Sequence, residues 1–303
     1  MAAIPEIPVI LNPSARSERS RSLASRIRAL SDNVRVYETT GPGHARELAS
    51  QFARGGEPKV VAAGGDGTIN EVVNGLAEGG LERGSSLGLL PTGTMNVFAT
   101  ELGIPSSHRL ADCWEIIEGD CTARVDLWCI NDHYFVQLAG VGLDADIIKE
   151  TTWDRKKAFG PLSYVMSAAQ LFAKDPPKVV VRHPEGADVE GAIVLLGNGQ
   201  RYGGPFRIFR NASNSDGLLD CIVIKEPSYP QFLELLAAAS LTGFENAQTV
   251  DYFQTDSLTI ESAGPAPVAV EADGDLVGET PVTVRKAAWP IKVLVPPERA
   301  TIW

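Results

Sequence analysis

Basic residues are scarce in this chain. Lys and Arg number 27 against 38 Asp and Glu, a formal charge of −11, whereas a nucleic-acid binder would want a basic face. The same balance excludes strong electrostatic adhesion to anionic lipid and leaves only a local basic patch for that role. Cysteine is sparse too. Cys113, Cys121, Cys129 and Cys221 form no C-x-x-C pair and show no zinc spacing, so they read as buried thiols in a reducing compartment. His44, His108, His133 and His183 are scattered, and none is assigned a role. The first residues lack a basic start followed by an apolar core, so no signal peptide is expected. Long apolar runs are missing as well. The longest, from Phe232 to Phe244, carries Glu234 and is too short to span a bilayer, and it reads as a core helix. The expectation is a cytoplasmic protein. What is present is a 44% apolar fraction that supports a sizeable core, in 303 residues that suggest two domains.

The chain is organised around VVAAGGDGTINEVVNGL, residues 60–76. Val60 to Ala63 reads as a buried strand. Gly64, Gly65, Asp66 and Gly67 turn the chain, and a helix starts behind them. Thr68 and Glu71 have the spacing of a capping box, and Ile69, Val72, Val73 and Leu76 fall on one helical face. Such a turn offers free backbone N–H groups and the positive end of a helix dipole to a phosphate. Glycines let the backbone approach a ligand closely. Asp66 would repel a bare phosphate, so a carboxylate there suits work with a cation beside a nucleotide. The plainer alternative is an αβ turn whose glycines serve packing.

Strand and helix patterns alternate through residue 120. Pro8–Leu11, Val34–Tyr37, Val60–Ala63 and Leu87–Leu90 are the expected strands; Arg16–Leu30, Gly43–Arg54 and Met95–Leu102 are helices. That alternation predicts a doubly wound, Rossmann-like parallel layer. The loops after its strands, Asn12-Pro13-Ser14 and Pro91-Thr92-Gly93-Thr94 among them, are where ligands bind in such sheets. After Arg124 the pattern changes to short strands separated by turns: 125–130, 134–138, 178–182, 192–196, 206–209, 218–225, 257–260, 268–271, 282–284 and 291–295. Helices are expected only at 160–173 and 231–241. This predicts an antiparallel β-sandwich. The domains are therefore set at 1–124 and 125–303, with the last residues packing back on the first domain.

ILNPSA (10–15), GGDGTINEV (64–72), LPTGTMN (90–96), NSDGLLD (214–220) and EADGD (271–275) occur in that order. The series resembles the diacylglycerol kinase catalytic family, in particular the bacterial lipid kinases related to sphingosine and ceramide kinases. The resemblance implies an ATP-dependent kinase that phosphorylates a lipid hydroxyl, with the site in the interdomain cleft. It implies that Asn12, Pro13, Ser14, Ala15, Arg16, Thr39, Gly64, Gly65, Asp66, Gly67, Thr68, Asn70, Glu71, Gly93, Thr94 and Asn96 line the ATP site. It further implies that Ser213, Asp216 and Leu218 hold Mg²⁺, Ser213 and Leu218 through backbone oxygens, and that Asp273 or Asp275 is the general base, with Asp66 also essential.

Three positions depart from the family pattern: Arg16 stands where Gly closes the first loop, Val97 where Asp follows the Asn, and Asp275 where Glu ends DGE. The implied partners are ATP and a lipid at the inner membrane face, with no nucleic acid, and a homodimer is compatible with the resemblance. The mix of Trp153, Arg155, Lys156, Lys157, Phe159 and Tyr164 suits a membrane interface, or else a solvated turn feeding a core helix. Competing readings are an NAD kinase-like enzyme, which shares GGDGT, and a non-catalytic nucleotide-binding regulator.

Overall fold

The computed structural model describes residues 5–13, 18–142, 177–202, 206–228, 243 and 250–300. The helices expected at 160–173 and 231–241, the basic-aromatic segment and the apolar run at 232–244 (Gly243 apart) lie outside these residues. The chain divides into two compact units, residues up to Val125 with those from Ala288 onward, and Asp126–Ala287. Among the described residues no helix is long and apolar enough to cross a membrane.

The first unit is built on a six-stranded sheet. Its parallel strands are β1 (Ile7–Leu11), β2 (Val34–Glu38), β3 (Lys59–Gly64) and β4 (Ser86–Pro91). Helices α1 (Glu18–Arg28), α2 (His44–Gly55), α3 (Asp66–Gly79), α4 (Val97–Glu101) and α5 (Leu110–Glu118) connect them, and β5 (Thr122–Val125) follows. The strand order is β2-β1-β3-β4-β20-β5, where β20 (Ile291–Leu294) comes from the far end of the sequence. It pairs parallel to β4 and antiparallel to β5. A short α6 (Pro297–Ala300) follows it. β1, β3 and β4 are buried on both faces, as parallel strands covered by crossover helices must be.

The single apolar stripe expected on α3 is too narrow a description. Ile69, Val72, Val73 and Leu76 are buried, but so are Asn70, Asn74, Gly75 and Gly79. Glycine makes this possible. Gly75 and Gly79, one turn apart, face Ala49, Ala53 and Ser50 of α2. A Cβ on Gly75 would sit 2.2 Å from the Arg46 carbonyl oxygen. Gly75→Ala gains about 1 kcal/mol of helix propensity, but overpacking costs about 1–3 kcal/mol. The obstacle is backbone, so the cost wins. Chemical denaturation should show a net loss of stability, and an unchanged midpoint would mean that the two helices part freely.

Among the described residues the second unit holds two six-stranded sheets and a small ribbon. One sheet runs β10-β9-β16-β19-β6-β7, made of β6 (Trp128–Ile130), β7 (His133–Phe135), β9 (Val179–Arg182), β10 (Val189–Gly191), β16 (Ser257–Ser262) and β19 (Val282–Lys286). The other runs β15-β14-β11-β8-β17-β18, made of β8 (Leu138–Gly142), β11 (Ile193–Gly197), β14 (Leu219–Ile224), β15 (Val250–Thr255), β17 (Ala269–Ala272) and β18 (Asp275–Glu279). The ribbon pairs β12 (Arg201–Tyr202) with β13 (Phe206–Arg207). Alternate residues of facing strands form one core: Val179 and Val181, Leu258 and Ile260, Val282 and Val284 meet Ala139 and Val141, Val194 and Leu196, Leu219 and Cys221. Period-two alternation between facing antiparallel sheets is sandwich packing, and the α/β plus all-β architecture is as expected.

Two expected strands are interrupted. The run 125–130 breaks at Asp126 and Leu127, and 134–138 breaks at Val136 and Gln137. In both places a carboxylate, described below, binds backbone groups outside the sheet ladders. Cys113, Cys129 and Cys221 are buried as expected, but Cys121 is only half-buried. Burial, with Asp112 nearby, pushes the Cys113 thiol up to about 11. Burial pushes Cys221 up as well, so these thiols stay protonated and inert.

Candidate active site

The loops after β1, β3 and β4 meet at the carboxyl edge of the first sheet. The junction from β3 to α3 carries Gly64, Gly65, Asp66, Gly67 and Thr68. The Asn12 N–H donates to the Ala63 carbonyl at 3.1 Å, which prolongs the β1–β3 pairing by one residue. Its side-chain Nδ2 donates to Thr68 Oγ1 at 3.0 Å. A Cβ on Gly64 would lie 2.4 Å from the Thr68 side chain, and one on Gly93 would lie 2.5 Å from the Gly65 Cα. The two glycine loops therefore touch backbone to backbone, and the Thr92 N–H donates to the Gly64 carbonyl at 2.8 Å. Asn96, in the left-handed region with φ 48°, locks the second loop. Its Oδ1 accepts from the Gly93 N–H at 3.0 Å and its Nδ2 donates to the Gly93 carbonyl at 2.9 Å. Thr94 is exposed between them, and Pro13 is half-buried beside Asn12. Ser14, Ala15 and Arg16 lie outside the described residues.

Gly93→Ala should wedge the loops apart and lower kcat by about 10²-fold, since misplacement by about 1 Å costs that much. Steady-state kinetics checks this, and near-native turnover would show that the contact is dispensable.

Asp66 opens α3 and spans to the start of α4. Its Oδ1 accepts from the Phe98 N–H at 3.4 Å. The residue as a whole is half-buried, but its carboxyl is turned inward, and burial raises its pKa against the lowering effect of the Phe98, Val97 and Asn96 backbone. A carboxylate held so has a reason to seek a cation.

The expected capping box does not form. α3 is capped by Gly65, whose lack of a side chain leaves no cap bond, and Thr68 is engaged with Asn12. Glu71 serves the neighbouring helix, its carboxylate accepting from the Gly43 N–H at 2.9 Å and the Ala45 N–H at 3.1 Å. It thus satisfies free donors at the start of α2, a task as favourable as a local cap. Asn70 is 2% exposed, and its Oδ1 and carbonyl accept from Asn74 Nδ2. Thr39 follows β2, with its N–H donating to the Leu11 carbonyl at 2.8 Å.

In the second unit, Ser213 and Leu218 are half-buried and Asp216 is exposed. Asp216 Oδ1 accepts from the Leu218 N–H at 3.0 Å, an Asx-turn that leaves Oδ2 available. The Asn214 amide is 1% exposed, and neither its Nδ2 nor its Oδ1 has a partner. A buried orphan of this kind beside a turn rich in oxygens fits a hydrated hard cation. Among the described residues no group of three or more His, Cys, Asp or Glu stands ready for a metal. Such a site would therefore rest on backbone and hydroxyl oxygens with one carboxylate.

Asp273 is committed elsewhere. With φ 49°, it turns its carboxylate onto three backbone donors: Val136 N–H at 2.9 Å, Gln137 N–H at 3.0 Å and Leu138 N–H at 3.0 Å. Its oxygens thus hold the loop, and which of Asp273 and Asp275 serves as base is a matter for the proposal below. Asp275 is exposed at the start of β18.

Sequence reasoning missed Asp126 and Asn198. Asp126 is 7% exposed. Its Oδ2 accepts from the Gly217 N–H at 2.6 Å, its Oδ1 pairs with Lys286 Nζ at 3.3 Å, and its N–H donates to the Asn214 carbonyl at 2.7 Å. It lies 91 residues from Gly217, and its one local sign was a carboxylate inside an apolar strand pattern.

Comparison with known proteins bears directly on these features. The family model described as the diacylglycerol kinase catalytic domain matches residues 6–130. The model described as the YegS C-terminal NAD kinase beta sandwich-like domain matches residues 138–295. The chain is 31% identical to the "Probable lipid kinase YegS-like" of Pectobacterium atrosepticum, over 88% of each chain. It is 30% identical to the diacylglycerol kinase of Bacillus subtilis, over 88% of this chain and 86% of that one. The crystal structure of a diacylglycerol kinase from Bacillus anthracis str. Sterne shares the fold, with a TM-score of 0.73 at 22% identity and 97% of each chain covered. With matches over both units and glycine loops formed by the motif residues, the chain belongs to the diacylglycerol kinase catalytic family and carries the YegS-type second domain.

Proposed function

We propose that this protein transfers the γ-phosphoryl group of ATP to the hydroxyl of a lipid. The observation that carries the reading is the contact of the Gly65 and Gly93 backbones beside the Asn12–Thr68 bond, in a chain of this family. The start of α3 presents backbone N–H groups and a dipole to the phosphates. Asn12, Thr39, Thr68 and Thr94 surround them, and Asp66 faces the cation that accompanies the nucleotide. The hydroxyl oxygen forms a bond to the γ-phosphorus as the bond to the β-phosphate oxygen breaks, giving ADP and a lipid phosphate. Asp275 takes the hydroxyl proton. Phosphoryl transfer needs positioning and charge stabilisation above all. Mg²⁺ fits the 213–218 turn, where Ser213, Asp216 and Leu218 would hold it, and it supplies neutralisation of negative charge.

The alternative is phosphorylation of NAD, favoured by the description of the matching second-domain model. The names of the relatives favour a lipid. Radiolabelled ATP should be offered with diacylglycerol, sphingosine, ceramide and NAD in turn. Label is expected in a lipid product, and label in NAD alone would overturn the reading.

A further inference from the structure

Asn198 lies at the end of β11 and is 0% exposed. Its Oδ1 accepts from Trp128 Nε1 at 2.9 Å. Its Nδ2 donates to the Asp126 carbonyl at 2.9 Å and to the Val136 carbonyl at 2.6 Å. The indole can only donate and the two carbonyls can only accept, so this orientation of the amide is the one chemistry allows. The Asn198 N–H adds a fourth bond, to the Gln137 carbonyl at 2.9 Å.

What Asn198 joins is specific. Asp126 holds the 213–218 turn at two points, through the Gly217 N–H and the Asn214 carbonyl, and pairs with Lys286 of β19. Val136, Gln137 and Leu138 give all three of their N–H groups to the Asp273 carboxylate, two residues before Asp275. The interruptions in the two expected strands are these same segments. Each segment has left its ladder, and one buried amide ties the two together.

We infer that Asn198 is a positioning residue that fixes the 213–218 turn relative to the 273–275 loop. The assignment of work to those two turns rests on the function proposed above; the mechanical link does not. Asn198 is fully buried, so it acts through Asp126 and Val136. A fully bonded polar group in low dielectric is a rigid joint, and this one joins the loop that carries the base to the turn that suits a cation.

Amide hydrogen exchange on the full-length protein tests the link. In Asn198→Ala the amides of Val136–Leu138 and of Gly217 should exchange about tenfold faster or more, while Ile222 and Val223 in β14 keep their protection. kcat should fall by about 10- to 100-fold while KM for ATP moves by less than about twofold, a split that general loosening would not give. Retained protection at either segment, or kcat within about twofold of native, overturns the inference. If Asn198→Ala does not fold, Asp273→Asn is read instead. Faster exchange at Gly217 in that variant supports the link, and native exchange there overturns it. Failure of the unmutated protein to phosphorylate any lipid would defeat the functional reading alone, and the exchange measurement would then judge Asn198 by itself.

Discussion

Asp66→Asn is expected to abolish phosphoryl transfer and, at the same time, to raise the melting temperature of the ligand-free protein at neutral pH. The two effects share a cause. Burial raises the Asp66 pKa in the folded chain. The native protein therefore keeps this proton over a pH range where the unfolded chain has released it. Stability is present below the ordinary carboxylate range and falls as pH climbs from there through the higher native value. At neutral pH the unfolded chain carries this charge and the native site disfavours it, a cost that a cation relieves. Asparagine keeps the Oδ1 that accepts from Phe98 and removes the charge. Transfer should drop by about 10³-fold or more, the scale of losing an electrostatic group at the reacting phosphates. Thermal melts from pH 4 to pH 8 and initial rates check both arms. A native-like rate, or a melting temperature that falls as in a core defect, would refute the assignment.

The second large effect separates two aspartates that sequence could not. Asp275→Asn should lower kcat by about 10²- to 10⁴-fold, the usual worth of a positioned base, and should move stability by no more than about 0.5 kcal/mol, as a surface substitution does. Asp273→Asn should behave differently. Asparagine tolerates the left-handed backbone, and its Oδ1 can still accept from Gln137 and Leu138. Its amide NH₂ then faces the Val136 N–H, donor against donor. One bond to a charged acceptor is lost and one buried donor is left unmet, for a destabilisation of about 1–3 kcal/mol. Urea denaturation and kinetics on both variants decide. If Asp273→Asn loses turnover at native stability while Asp275→Asn stays active, the roles are reversed.

How much of this was legible beforehand can be judged from particular residues. The strand, glycine turn and helix at 60–76 were readable because each signal is local: an apolar run, glycines and helical spacing. The sandwich was readable from short strands at turn-bounded spacing. Glu71 was misassigned because a capping box and a cap on another helix use the same residue, and only packing chooses between them. The broken strands at Asp126 and at Val136–Gln137 kept their apolar pattern, since the breaks are made by carboxylates or amides far away in sequence. Asp273 and Leu138 are 135 residues apart, a distance at which local spacing carries no signal. The wide buried face of α3 was hidden for another reason: Gly75 and Gly79 add nothing to an apolar count, yet they let α3 lie close against α2.

The place of β20 has a consequence for how the protein is made. Among the described residues β5 has no neighbour in its sheet except β20, so a nascent chain that has just emerged through Val125 holds a β4 edge and a β5 strand that lack this partner. The first unit must wait on the ribosome, unfinished, while the 165 residues from 126 to 290 are translated before Ile291–Leu294 can slide into the gap. Until then its open backbone edge invites pairing with other chains, and a fragment cut after Val125 should precipitate rather than fold.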